Sequence, residues 1–307
     1  MDLARHAGLP REAQPHELSV HSIRPRKVLS ALGSALGVLA LLIALRSPGF
    51  VSGALAAPAQ WLSPAAVVAA PDGATLYIAC ATGHRVLVFD LAARKVTQSI
   101  ATPPSPTGLA ITPDGKTLWV TCAAPKSEVC AIELARARIT SRFPAGHTAL
   151  APVLSPDGRT LFVCNRFHDD VGVFDLPSGK ERRRIPVRRE PVAAALTPDG
   201  RRLLVANHLP HGRADVDHVA AVVSVIDPAL GRVVDDLWLP NGSGSLADIR
   251  VSPDGRYAVV THVLSRFHLP TTQLERGWMN TNAKTILDLE RLQVLNTVLL
   301  DSVDRGA

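Results

Sequence analysis

Four cysteines in 307 residues are too few for a fold that depends on disulfides. No Cys-x-x-Cys-His run occurs, and Cys80 to His84 has the wrong spacing for one, so no c-type haem is covalently attached to this chain. Gly-x-Ser-x-Gly, His-Glu-x-x-His and Walker sequences are also missing. Aromatics make up only 4% of the chain, and no basic cluster is interleaved with them, which excludes nucleic-acid binding. The formal charge of +6 does not reverse that conclusion. Residues 1–57 hold six basic side chains (Arg5, Arg11, Arg24, Arg26, Lys27, Arg46) against three acidic ones, leaving 27 against 24 elsewhere. What the chain does have is apolar residues, at 47%, far too many for a disordered polymer. The length suits one large domain or two ordinary ones.

Residues 28–45 form an uncharged apolar run preceded by Arg24-Pro25-Arg26-Lys27 and followed by Arg46-Ser47-Pro48-Gly49. Ala54-Leu55-Ala56 then offers the small residues that a signal peptidase reads. The order basic, apolar, small defines residues 1–57 as a leader, either a cleaved signal peptide or a membrane anchor helix. Both versions place the rest of the chain outside the cytoplasm, in the periplasm or at the cell surface, with the leader as the sole membrane contact.

Pro-Asp-Gly occurs five times, at 71–73, 113–115, 156–158, 198–200 and 253–255, at intervals of 42, 43, 42 and 55 residues. Each triplet sits between apolar segments and is followed by a third segment ending in an acid: Asp90, Glu133, Asp175, Asp227 and Asp288. Four short β-branched segments per repeat, with a tight Asp-Gly turn, read as one propeller blade, and helical solenoids would show helical periodicity instead. The sequence therefore predicts an all-β propeller over 62–307 with five four-stranded blades. They should begin near Ser63, Ser105, Thr148, Glu190 and Ser245, with helix confined to the leader.

The segments Trp119-Val120-Thr121-Cys122 and Val259-Val260-Thr261-His262, each following Pro-Asp-Gly, resemble the YVTN repeat of bacterial exported β-propellers. The likeness covers roughly residues 62–300. Ala206-Asn207-His208-Leu209-Pro210 and Leu269 to Asn282 are similar to loops of the same larger group, some of whose members are fused to cytochrome c peroxidase-like domains. That resemblance implies seven blades, a quinoprotein amine dehydrogenase β chain-like scaffold, and a cytochrome or peroxidase as partner. Only five blades are legible, so the expectation is either an incomplete seven-bladed ring, from a truncated or split gene, or a five-bladed arc that needs a partner, with the faces of blades one and five lacking a neighbour and prone to pairing.

With strands labelled A to D from the axis outward, Pro-Asp-Gly and the C–D turns lie on one face. The B–C loops and the D–A links lie on the other. From Pro-Asp-Gly to the strand-C acid takes 19, 20 and 19 residues in blades one to three, but 29 in blade four and 35 in blade five. Both additions are B–C inserts on one face, and extra loops on a rigid scaffold are where binding concentrates. The insert 208–221 carries His208, His211, Asp215, Asp217 and His218. The insert 262–283 carries His262, His268, Arg276, Trp278, Asn280 and Asn282. These eleven residues are the predicted binding face for a protein partner or small ligand. His208, His211, His218 and His262 are in addition candidate ligands for a divalent metal, although their spacing matches no closed metal motif.

Three further features weigh against one another. Cys122 and Cys130 flank the B–C hairpin of blade two, where a turn near Lys126 sets them opposite each other as a candidate disulfide or as two buried thiols. The run Glu181-Arg182-Arg183-Arg184 reads as a solvated edge strand and Asn241 to Ser245 as a flexible rim loop. No nucleophile–base pair can be placed, which favours a binding or scaffold module over a lactonase-like or quinoprotein dehydrogenase-like enzyme. The enzymatic reading requires an axial pocket lined by His208, His262 and a carboxylate. A third reading makes the chain a docking domain for a separate cytochrome.

Overall fold

Each Pro-Asp-Gly triplet turns one strand into the next, and its chemistry accounts for the tightness of the turn. In blade two, Gly115 takes φ of 68°, the left-handed region that glycine enters without penalty. The Asp114 carboxylate accepts from the Thr112 hydroxyl at 2.6 Å and from the Lys116 amide at 3.1 Å, while the Thr117 amide donates back to the Thr112 hydroxyl at 3.0 Å. Ser155-Asp157, Thr197-Asp199 and Ser252-Asp254 repeat the arrangement. The hydroxyl holds each of these four carboxyls below the usual carboxylate range. Blade one has Ala70 in the hydroxyl position and keeps only the Ala74 amide bond to Asp72.

The computed structural model describes residues 61–176, 178–265 and 279–301, all within one compact unit, Ala59–Ala307. They form five four-stranded antiparallel sheets in sequence order, spanning 64–101, 106–144, 149–186, 191–238 and 243–299. Apart from the 3-10 turn Arg166–His168, no helix occurs among the described residues, and none there is long and apolar enough to cross a membrane. The leader lies outside the described residues.

The expected starts at Ser63, Ser105, Thr148 and Glu190 fall one residue before strand A, each with φ between 47° and 56°. The first residue past strand B donates its amide to the carbonyl of that left-handed residue: Ala81 to Ser63, Ala123 to Ser105, Arg166 to Thr148 and His208 to Glu190. Blade five departs from this. Its first strand begins at Ser243, and a register shift between Gly244 and Asp248 absorbs the left-handed Ser245.

In blades two to four, strands B and C are covered on both faces, so they read as continuous apolar runs. Thr117–Cys122 is buried at five of six positions. Strand D is solvated: in Lys95–Ala101 only Ile100 is buried. Facing blades interdigitate through four apolar clusters. Val86 and Tyr77 meet Leu118 and Ile132, and Trp119 and Phe143 meet Leu161 and Phe174. Phe162 and Ile185 meet Leu203 and Ile226, and Leu204 and Val225 meet Ile249 and Leu287.

A second contact recurs at the same four junctions. A Cβ built on Gly115 meets Pro71 of the preceding blade at 3.4 Å, and Gly158 meets Pro113, Gly200 meets Pro156 and Gly255 meets Pro198 at 3.3 to 3.7 Å. On Gly73 the same Cβ has nothing within 4 Å. Among the described residues no apolar cluster joins blade five to blade one either. Among the described residues, apolar clusters and turn contacts thus join four pairs of neighbouring blades.

Candidate binding face

The face bearing B–C loops and D–A links is where the histidines gather, and most of them hold backbone. His84 Nδ1 accepts from the Ser105 amide at 3.2 Å, and His168 Nδ1 accepts from the His147 amide at 3.2 Å. His208 Nδ1–H donates to the Leu246 carbonyl at 2.9 Å, and His218 Nε2–H donates to the Leu239 carbonyl at 3.1 Å. Three of these bonds tie a B–C loop to a D–A link, and the His208 bond ties one to the innermost strand of blade five, Ser243–Val251. A link has no ladder of its own, so its amides and carbonyls need such partners. Histidine density on this face therefore has a structural origin.

Two polar networks run from the interior to this face. In blade three, the buried Asn165 accepts from the Gly146 amide at 2.9 Å and donates to Asp170 at 2.6 Å. Burial raises the Asp170 pKa, while Asn165 and Arg184 oppose that shift. Arg184 extends the chain to His168 Nδ1 at 3.1 Å; separately, Arg166 pairs with Glu190 at 2.8 Å. In blade four, Asn207 donates to the Ser224 hydroxyl at 3.1 Å, and Ser224 donates to Asp236 at 2.7 Å. Arg188 then pairs Asp236 at 2.7 Å and donates to His211 Nε2 at 3.3 Å.

The blade-four insert has a fixed base and an exposed tip. Asn241 accepts from the Val219 amide at 2.9 Å and donates to the Asp217 carbonyl at 2.7 Å, and the Gly242 amide donates to Val219. The segment Asn241 to Ser245 is therefore a clamp for the insert, where a flexible rim loop was expected. His218 packs edge-on against the half-exposed Trp238, ring centroids 6.0 Å apart. Beyond this base, residues 211–216 are exposed, with Asp215 held below the usual carboxylate range by paired Arg213.

The blade-five insert differs from expectation. Strands B and C each run nine residues, Tyr257–Ser265 and Asn280–Asp288, pairing as far out as Ser265 with Asn280. Much of the extra length is sheet, because the buried alternation Ala258, Val260, His262 on one strand and Thr281, Ala283, Thr285, Leu287 on the other continues the strand pattern. Asn280 accepts from Ser265 at 2.9 Å, and the Asn282 amide donates to Asp301. His268, Arg276 and Trp278 lie outside the described residues.

Three arrangements weighed from the sequence are not seen among the described residues. Among the described residues no three His, Cys, Asp or Glu side chains gather as a metal site. His208, His211, His218 and His262 are each turned to a different partner. Cys122 stands opposite Glu128 and Cys130 opposite Val120, so the two cysteines are diagonal, free and buried. The neighbouring Cys130 thiol, with burial, raises the Cys122 pKa. The axial channel of about 860 Å³ is lined by the innermost strands, through Ala66, Thr107, Ala151, Ala194, Asp248 and Arg250, without His208 or His262. Asp248 and Arg250 pair with each other at 3.0 Å.

His262 is buried instead between blades four and five. Its Nδ1–H donates to the Val263 carbonyl at 3.3 Å, and its Nε2 accepts from Thr285, which is bonded in turn to Thr297. Burial pushes its pKa below the ordinary 6.5. A buried neutral histidine makes the unfolded chain the better proton acceptor. Stability is thus complete above 6.5 and declines as pH falls through the depressed folded value. Denaturant titrations between about pH 5 and about pH 8 are expected to show this decline, and His262→Gln to flatten it. An unchanged slope in His262→Gln would assign the decline elsewhere.

The residues that sequence reasoning missed are Arg166, Phe167, Arg188 and Trp238. Phe167 is 52% exposed, with the Arg166 guanidinium over its ring at 5.1 Å and His147 edge-on at 5.2 Å. An exposed ring framed by a guanidinium and an imidazole is a recognition feature. Its signal was Arg166-Phe167-His168 just after an apolar strand.

Fold and face together define the class, an all-β propeller array whose polar networks open on the loop side. The chain is similar in structure to hydrazine synthase of Kuenenia stuttgartiensis, with a TM-score of 0.72 and 28% identity, covering 84% of this chain and 72% of that chain. A stretch of 66 residues is 39% identical to hydrazine synthase subunit beta of the same organism, covering 22% of this chain and 17% of that protein. The match thus spans less than a fifth of that curated relative. No protein-family model matches the chain.

Proposed function

We propose that the chain is an exported, YVTN-type propeller that acts as a binding subunit of a multi-protein assembly, holding a partner protein on its loop face. The observation that carries this reading is the blade-four insert, clamped at its base by Asn241 and His218 and free at its tip, on the same face as the exposed Phe167. A rigid base under an exposed loop lowers the entropy that binding must remove. The likeness to a protein named as an enzyme subunit supports a place in an assembly. A cytochrome or peroxidase partner would meet the exposed Lys126 and Arg189 on this face, whereas Arg166, Arg188 and Arg213 are paired with Glu190, Asp236 and Asp215.

The test replaces residues 209–219 with the short B–C turn of blade one and compares the variant with the parent in periplasmic extracts. Retained melting behaviour with loss of the co-purifying partner is the expected result. A variant that folds and keeps the partner would move the functional surface elsewhere, and recovery of the parent only from cytoplasm would overturn export.

A further inference from the structure

We propose that Asn241-Gly242 is a deamidation site, closed while the blade-four insert is seated and opened when it lifts, and that its conversion unseats the insert for good. The proposal rests on the loop-face reading above only for its consequence to a partner. Among the six asparagines, Asn241 alone is followed by glycine, while Arg166, His208, Thr281, Ala283 and Thr297 follow the others. Asparagine is a thermolabile side chain, and glycine sets no Cβ beside the nitrogen that attacks it.

The reaction is a hydrolysis and consumes only water. The Gly242 nitrogen gives its proton to hydroxide and bonds to Asn241 Cγ, the Cγ–Nδ2 bond breaks, and ammonia leaves. Water then opens the cyclic imide to an aspartyl residue, or to an isoaspartyl residue whose main chain runs through Cγ. The insert holds every group this requires. The Gly242 amide donates to the Val219 carbonyl at 2.9 Å, Asn241 Oδ1 accepts from the Val219 amide at 2.9 Å, and Nδ2 donates to the Asp217 carbonyl at 2.7 Å. With the insert seated, the nitrogen keeps its proton and Cγ cannot turn onto it. The product cannot rebuild the clamp. A carboxylate at 241 sets an acceptor against the Asp217 carbonyl, where Nδ2 had been the donor. The Gly242 carbonyl also accepts from the Ser265 amide at 2.8 Å, so this peptide unit joins the blade-four insert to the long strand Tyr257–Ser265 of blade five. An isoaspartyl link lengthens the main chain at that joint and disturbs both.

Incubating the full-length chain in mild alkali, with and without urea, tests the site by the mass of its tryptic peptide 233–250. The folded chain should convert roughly a hundredfold more slowly than the unfolded one. His218→Ala loosens the base of the insert without altering Asn241-Gly242 and should speed the folded-state reaction roughly tenfold. Converted parent, separated from unconverted by anion exchange, should exchange amide hydrogens roughly tenfold faster at 211–219 and 263–265, with 203–207 unchanged. Asn241→Asp should show the same exchange without incubation. The separated parent needs no variant, so it decides the matter even if His218→Ala does not fold. No partner enters any of these readouts, so a failure of the loop-face reading leaves them as they are. Equal conversion with and without urea overturns the proposal. So does a converted chain, or a folded Asn241→Asp chain, whose insert exchanges as slowly as the parent's, and so does a folded His218→Ala chain that converts no faster.

Discussion

Phe174→Ala is expected to lower the free energy of unfolding by about 4 kcal/mol, read from urea titrations. Phe174 sits in strand C of blade three, Asp170–Asp175, and is fully buried. Its ring packs on Phe143 with centroids 5.0 Å apart, and Phe143 reaches Trp119 at 5.8 Å, so three aromatics from blades two and three fill one junction. The ring also covers Gly172, whose missing side chain makes room for it: a Cβ there would lie 2.8 Å from the Phe174 ring. Truncation removes that filler between sheets held by their own ladders, so the space cannot collapse and the cavity adds to the transfer loss. Phe167→Ala, the same change at a half-exposed ring, should cost under about 1 kcal/mol. Similar losses for the two variants would mean that the blade junctions are not what holds the array.

Most of this fold could be read from the residues because the repeat states it five times. A turn that needs glycine at positive φ, a carboxylate to cap it and a hydroxyl two residues earlier is a local device, legible wherever Thr-Pro-Asp-Gly or Ser-Pro-Asp-Gly stands. The blade starts came within a residue for blades one to four for the same reason. Blade five is where local pattern failed: its strands run on through Ser265 and from Asn280, and an apolar alternation beyond the usual length looks like an insert until its pairing is seen.

The face was harder to read than the fold. Sequence grouped histidines by density, but density says nothing about which way a ring nitrogen points. Three of them hold links between blades, and only the three-dimensional approach of His168 to the His147 amide or of His218 to the Leu239 carbonyl reveals that use. The diagonal placement of Cys122 and Cys130 depends on hairpin register, which a turn centre estimated at Lys126 misses by one pair. Arg188 and Asp236 are far apart in sequence and meet only because blades three and four are neighbours.

Gly108→Ala is expected to destabilise the array by about 3 kcal/mol, although it adds one methyl group in a strand. Gly108 lies in the innermost strand of blade two, Pro106–Ile111, against that of blade three, Ala149–Leu154. These axial strands converge so closely that the Thr107 hydroxyl donates directly to the Ala149 carbonyl at 2.9 Å. A Cβ on Gly108 would meet Pro152 Cδ at 2.3 Å, Thr121 Oγ1 at 2.7 Å and the Ala151 backbone nitrogen at 3.0 Å. Proline and backbone cannot rotate away, so blades two and three must part at the axis. Gly212→Ala separates this effect from backbone strain. Gly212 has φ of 93° and open space around it, so its variant carries only the left-handed penalty of about 1 to 2 kcal/mol. Parting the axial strands also strains the link above them, where Gly146 and His147 are held by Asn165 and His168. Gly108→Ala should therefore weaken partner binding on the loop face from a site that lines the axial channel. Melting temperature and binding measured on the same preparation check both effects. A stable Gly108→Ala protein with unchanged binding would show that the blades move apart without cost and that the loop face is independent of the axis.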